Sequence, residues 1–205
     1  MPEGAHSSEH FRTLLEPLLT LALTEPQWEL LNRHYRLLVL WNRRLNLTSI
    51  KDPAAIVKRH FGESLFVAAR LRLERGALAD LGSGGGFPGF PIAVANRGLH
   101  VTLIESVGKK AAFLKEVSRG VGNVRVLRER FEEVDEQFDW VVSRAVALES
   151  LRIPLLHKTK HLAFLTSVDR AQEIASTLGL NKPNFEPLPW DPSTTLLTGV
   201  FHVEP

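Results

Sequence analysis

The stretch that most constrains this chain is Ala77-Leu78-Ala79-Asp80-Leu81-Gly82-Ser83-Gly84-Gly85-Gly86-Phe87-Pro88-Gly89. An apolar run ends near an acid, breaks into glycines and continues into a helical pattern. That is the strand, turn and helix opening a doubly wound α/β sheet. Glycine is needed where the chain turns sharply and a ligand must approach bare backbone. Two templates overlap here: Gly84, Gly86 and Gly89 fit G-x-G-x-x-G, while Asp80, Gly82, Gly84 and Gly86 fit D-x-G-x-G-x-G.

The templates expect different ligands. A dinucleotide sets its pyrophosphate on the glycine turn, where a nearby carboxylate repels it. S-adenosylmethionine has no phosphate and carries a sulfonium and an ammonium group, which an acid at the strand end favours. Asp80 tips the loop toward the methyl donor, and a nicotinamide cofactor stays as the alternative. Val101-Thr102-Leu103-Ile104-Glu105 reads as the second strand, and Glu105 lies about 20 residues past the glycines, where an acid takes the ribose hydroxyls.

Helices precede the first strand. Phe11 to Ala22 has helical spacing, and Thr24-Glu25-Pro26-Gln27 starts a helix to about Arg44 with Trp28, Leu31, Tyr35, Leu38 and Trp41 on a core stripe. Asn42 to Lys51 reads as a loop. Asp52-Pro53 caps a further helix that turns Ile56, Val57, His60, Phe61, Leu65 and Ala68 inward. After the glycines come a helix over Phe90 to Asn96, a helix over Ser106 to Arg119, and strands over Asn123–Leu127, Phe138–Ala145 and His161–Ser167. An antiparallel pair, Phe185–Trp190 and Leu196–Val203, closes the sheet, with Pro187 and Pro189 suited to an edge. Residues 1–75 are expected to form a helical extension packed on the doubly wound domain of residues 76–205.

Between Arg33 and Arg75 there are ten Lys/Arg against three acids, a local excess of seven in a chain of net charge +2. Lys109 and Lys110 fall in a helix first turn, where they oppose the macrodipole, a local inconsistency expected at functional sites. A phosphate backbone is the partner such lysines suit. The 205 residues include no Cys, which removes disulfides, thiolate metal sites and cysteine nucleophiles. No metal is expected. The polar first eight residues lack a signal-peptide core, and no apolar run reaches the roughly 18 residues of a membrane span. A cytoplasmic protein without membrane contact is the expectation.

Five separated stretches together resemble one family. They are Trp41-Asn42-Arg43-Arg44-Leu45-Asn46-Leu47-Thr48-Ser49, Arg59-His60-Phe61-Gly62-Glu63-Ser64, the glycine loop through Pro91, Glu105-Ser106-Val107-Gly108-Lys109-Lys110, and Val142-Ser143-Arg144-Ala145. The chain resembles the ribosomal small-subunit methyltransferase G family, also called glucose-inhibited division protein B. That resemblance implies a Rossmann-like class I S-adenosylmethionine-dependent fold. It also implies methylation of guanine N7 in 16S ribosomal RNA of the small ribosomal subunit. Carried over by position, the cofactor contacts fall on Gly82, Phe87, Glu105, Phe131, Glu132 and Arg144, beside Asp80 and Gly84 from the loop. Asn46, Arg59, His60, Lys109 and Arg130 match motif residues near the mouth and, with Lys110, are the RNA-binding candidates. Glu63 departs from the family's usual Asp, and Leu165-Thr166-Ser167 from its usual Lys-Gly.

The chemistry agrees with what is missing. Without Cys, methylation of pyrimidine C5 through an enzyme adduct is excluded. Ser143-Arg144-Ala145 stands where exocyclic-amine methylation uses an Asn-Pro-Pro-aromatic loop. A ring nitrogen or ribose oxygen is favoured, and N7, with a free lone pair, needs no general base. A methyltransferase for another RNA or a small molecule, and a non-catalytic RNA-binding or assembly protein, are the alternatives.

Overall fold

The computed structural model describes residues 8–144, 155 and 157–201. Its strands are β1 (Gly76–Leu81), β2 (Leu99–Ile104), β3 (Val124–Leu127), β4 (Phe138–Arg144), β5 (Thr159–Ser167), β6 (Leu180–Leu188) and β7 (Asp191–Phe201). They form one sheet in the order β3-β2-β1-β4-β5-β7-β6. β1 to β5 run parallel, while β7 lies antiparallel between β5 and β6. The strand order reverses beside β1, where Leu81 pairs with Ile104 on one side and Ser143 on the other. In such sheets the crevice outside the carboxyl ends at this switch is where ligands bind.

The helices are α1 (Ser8–Leu15), α2 (Glu25–Leu45), α3 (Pro53–Ile56), α4 (Glu63–Leu71), α5 (Gly89–Ala95), α6 (Gly108–Val117) and α7 (Val168–Leu178). Thr24 N–H donates to Gln27 Oε1 at 2.8 Å, and Gln27 Nε2 donates to the carbonyls of Val94 and Ala95, tying the start of α2 to the end of α5. Asp52 Oδ2 accepts the Ala55 N–H at 2.7 Å, as the Asp-Pro start predicts. Between α3 and α4 the chain stays helical but takes a π register over Val57–Gly62.

Side chains alternate across the sheet. Leu78 and Leu103 join Phe11, Tyr35, Phe61, Phe90 and Phe113 in one buried cluster, which the early helices share with α5 and α6. Ala79, Leu81, Ile104 and Val141 face the opposite cluster with Phe164, Ile174 and Leu197.

Two expectations are corrected. The first helix stops at Leu15 and continues only as the 3-10 turn Glu16–Leu18, because Pro17 has no N–H and its ring crowds the preceding turn. The β6 strand spans Leu180–Leu188 rather than starting at Phe185, and Trp190 sits in the turn to β7. α7, ended by Gly179 at φ +63, fills a stretch to which no element was assigned. Pro187 does lie on the edge strand. Residues 1–7 of the polar N-terminal stretch, Ala145 of the fourth-strand motif and residues 202–203 of the last strand lie outside the described residues. Among the described residues no helix is long and apolar enough to cross a membrane.

Candidate active site

The glycine turn is held from below and from both sides. Asp80, with no exposed surface, accepts the Gly89 N–H on Oδ2 at 3.0 Å, which fixes the start of α5 on β1. A Cβ at Gly89 would stand 2.5 Å from Asp80 Cβ and 2.6 Å from Leu103 Cδ2. Gly89→Ala should therefore push α5 off the sheet and destabilise the protein by about 1–3 kcal/mol. A thermal melt with and without methyl donor measures both the loss and the weakened ligand response.

Burial pushes the Asp80 carboxyl up to about 7, with the nearby Glu105 charge adding to the shift. Its Oδ1 is buried without a partner. Above it, Gly84 is left-handed at φ +53, and an added Cβ would meet nothing nearer than the Gly82 carbonyl at 3.7 Å, so this backbone faces open space. Glu105, only 6% exposed, receives the Gly84 N–H on Oε2 at 3.0 Å and the Val107 N–H on Oε1 at 2.8 Å. It thus clamps the glycine turn to the loop opening α6. Each carboxylate oxygen keeps a lone pair beyond these bonds. An orphaned carboxylate oxygen, an open glycine backbone and an anchored second carboxylate fit a ligand that brings positive charge and hydroxyl donors.

On the other flank, Phe87 lies between two histidines. His34 from α2 stacks on it at 4.6 Å and His60 from the π segment at 4.7 Å. His34 Nε2 is 2.7 Å from the Gly85 carbonyl. Burial holds both imidazoles down to about 3, helped at His60 by the Arg144 charge. Both are neutral at working pH.

Arg144 reaches this stack from the end of β4. Its Nη1 donates to the Arg59 carbonyl at 2.6 Å and to His60 Nδ1 at 2.5 Å, and its Nη2 pairs with Glu63 Oε2 at 3.4 Å. The π register makes this possible: the Glu63 N–H bonds the Lys58 and His60 carbonyls and skips that of Arg59. Glu63, 1% exposed, also faces Arg59 at 3.7 Å; burial raises its carboxyl while the two arginines oppose that. Glu63 thus serves as the ion-pair partner of Arg144.

Phe131 and Glu132 stand in a 3-10 turn after β3, with the Phe131 ring buried and Glu132 exposed. Lys158 donates to the carbonyls of Phe131, Glu132 and Val134 and lies 5.1 Å over the Phe131 ring. Arg130 is exposed at the cap of the same turn. Asn46 caps α2 in a left-handed conformation at φ 48, and the bonds into the network come instead from Asn42 and Thr48. Lys109 and Lys110 occupy the first turn of α6, close to Arg128, whose guanidinium covers Gly108. The sequence reading missed His34, Thr48 and Lys158. His34 was legible as a polar residue spaced with Leu31 and Leu38 on the apolar stripe of α2. Among the described residues no group of three His, Asp or Glu is placed to hold a metal.

The family model described as rRNA small subunit methyltransferase G matches residues 27–176. A protein of Chloroflexus aggregans called ribosomal RNA small subunit methyltransferase G is 39% identical over 168 residues, covering 76% of this chain and 71% of that one. One of Stenotrophomonas maltophilia with the same name is 44% identical over 138 residues, covering 65% and 64%. The second match therefore spans just under two thirds of that relative. Among solved structures, magnesium protoporphyrin IX methyltransferase from Synechocystis with bound S-adenosylmethionine superposes with a TM-score of 0.59 at 15% identity, covering 82% of this chain and 97% of that one. A SAM dependent methyltransferase from Aquifex aeolicus gives 0.58 at 13% identity over 72% and 93%. At these identities the likeness establishes the fold.

Proposed function

The chain belongs to the rRNA small subunit methyltransferase G family, and from that premise we propose that it transfers a methyl group from S-adenosylmethionine to N7 of a guanine in 16S ribosomal RNA. The observation that carries this reading is that the family match, over residues 27–176, takes in every group gathered at the carboxyl rim. An enzyme with this substrate works in the cytoplasm, on the small ribosomal subunit or its RNA.

When bound, the donor supplies an electrophilic methyl on a cationic sulfur. Glu105 and the Gly82–Gly84 backbone bind its nucleoside end, Asp80 lies beneath the loop where the donor's positive charge would draw its raised carboxyl into the ionised form, and the Phe131–Glu132 turn borders the adenine side. Arg144, fixed by His60, Arg59 and Glu63, sets the wall facing the acceptor. Guanine N7 has no proton to lose, so the transfer needs no general base, and His60 Nδ1 is already occupied by Arg144. Rate then comes from holding the two reactants in line.

The RNA backbone is met by a basic band. Arg33 donates to the carbonyls of Val117 and Arg119, and Trp41 packs on Phe113 at 5.6 Å, so α2 and α6 run in opposite directions. That direction puts Arg43 and Arg44, at the end of α2, at the same end of the helix pair as Lys109 and Lys110 at the start of α6, where the Arg128 guanidinium covers Gly108. Phosphate contacts of this kind position the substrate, and pocket contacts choose the base. Lys109→Ala with Lys110→Ala should weaken RNA binding and flatten the log–log salt slope by about 1.5–2. An unchanged slope removes both lysines from the RNA surface.

The reading itself is tested with small subunits from cells lacking this protein, incubated with it and labelled S-adenosylmethionine. Label in 16S RNA that maps to one guanine by cleavage at 7-methylguanine supports it. Donor binding with no transfer refutes the substrate, and no donor binding refutes the reaction.

A further inference from the structure

The bonds around His60 assign the hydrogens of a chain that ends on Thr48. An arginine only donates, so Arg144 Nη1, 2.5 Å from His60 Nδ1, makes that nitrogen an acceptor. A neutral imidazole with a bare Nδ1 carries its proton on Nε2, and that atom lies 2.8 Å from Thr48 Oγ1. Thr48 Oγ1 therefore accepts from His60, and it accepts a second time from the Ile50 N–H at 3.1 Å. A hydroxyl has two lone pairs and one proton. With both lone pairs committed, what Thr48 still offers is its proton, and among the described residues no acceptor is within bonding reach of it.

Thr48 is also rigidly placed and reachable. Asn42 Nδ2 donates to the Thr48 carbonyl and Asn42 Oδ1 accepts the Thr48 N–H, both at 2.9 Å, so the end of α2 grips the residue by its backbone. The residue is partly exposed. The His60 ring that orients its hydroxyl stacks on Phe87 of the glycine loop. The free proton thus stands two hydrogen bonds from Arg144, on the acceptor side of the rim.

This inference rests on the guanine-N7 reading: we propose that the Thr48 hydroxyl donates to O6 of the target guanine and selects guanine over adenine. Once N7 receives the methyl group, O6 is the acceptor left on the same edge of guanine, while adenine presents an amino donor there. A hydroxyl free to rotate serves either base. Thr48 is denied that freedom because Arg144, through His60, commits its lone pairs, so adenine would set donor against donor and leave both unsatisfied.

The test is a double-mutant cycle on small subunits assembled with guanine or 2-aminopurine, which lacks O6, at the methylated position. Single-turnover kcat/KM is measured for the wild type, Thr48→Val and Thr48→Ser. Thr48→Val should lose about tenfold or more on guanine and nothing further on 2-aminopurine, and Thr48→Ser should recover most of the loss. The different nucleophilicity of the two bases cancels in the cycle. Equal losses on both bases overturn the proposal and assign the hydroxyl to a phosphate or ribose oxygen, or to folding. Nitrogen-15 spectra of His60 in the intact protein should show a bare Nδ1 and a protonated Nε2; the opposite tautomer also overturns it. No transfer by the wild type on guanine refutes the methyltransferase reading instead, and leaves the His60 spectrum to be judged separately.

Discussion

Glu105→Ala should lower affinity for S-adenosylmethionine by about 10²–10⁴-fold and leave a folded sheet. The carboxylate has two jobs here. It accepts the N–H groups of Gly84 and Val107, which holds the glycine turn against the loop opening α6. Its remaining lone pairs are those that two ribose hydroxyls would use, each such charge-assisted bond contributing about 1.5–3 kcal/mol. The alanine variant forfeits the hydroxyl bonds and frees the turn that must be rigid to receive the donor. Glu105→Gln keeps one carbonyl oxygen and should fall between the two. Calorimetric titration with donor, beside a thermal melt of the free proteins, separates lost binding from lost folding. Affinity of the alanine variant within threefold of the wild type would remove Glu105 from the donor site.

The rim itself was legible in the sequence because its parts are local. Asp80, the glycines and Glu105 announce themselves by their places at strand ends, where backbone geometry alone dictates what a residue can do. The bonds that lock the rim are not local. Arg144 meets Arg59 and His60 across more than eighty positions, and His34 meets Gly85 across fifty-one. Nothing in a helical period says that the Val57–Gly62 turn will take a π register and leave the Arg59 carbonyl to Arg144. Pro17 shows the converse failure: apolar spacing from Phe11 onward promises a helix to Ala22, yet one missing N–H outweighs it. Asn46 and Thr48 share one motif stretch, and nothing in the motif says that it is the second of them whose side chain reaches His60, twelve positions on.

Acidification should expose the strain of burying His34 and His60 neutral. In the unfolded chain each binds a proton below its ordinary value of 6.5, whereas the folded protein resists protonation down to about 3. The unfolded state thus binds more protons throughout that window, and stability present above pH 6.5 is lost as pH falls. At pH 5 the two histidines together should cost about 4 kcal/mol. Asp80 acts with the opposite sign: folded it holds a proton up to about 7, unfolded only to 3.8, so its burial costs least at low pH and stability is lost as pH rises through that window. Between pH 7.5 and 5 it should return about 2–3 kcal/mol, and Glu63, raised by the same burial, adds in the same direction. The wild type should therefore lose only about 1–2 kcal/mol over this range, and Asp80→Asn, which keeps an acceptor for the Gly89 N–H but no titration, about 4. His34→Gln should lose about 2 kcal/mol less than its own parent background. Urea unfolding at the two pH values measures these differences directly. The comparison is between slopes, so whatever each substitution does to stability at pH 7.5 drops out. Parallel pH dependence in the wild type and Asp80→Asn would mean that Asp80 is ionised in the folded protein, and that the charge beneath the glycine loop is present before any cationic donor arrives.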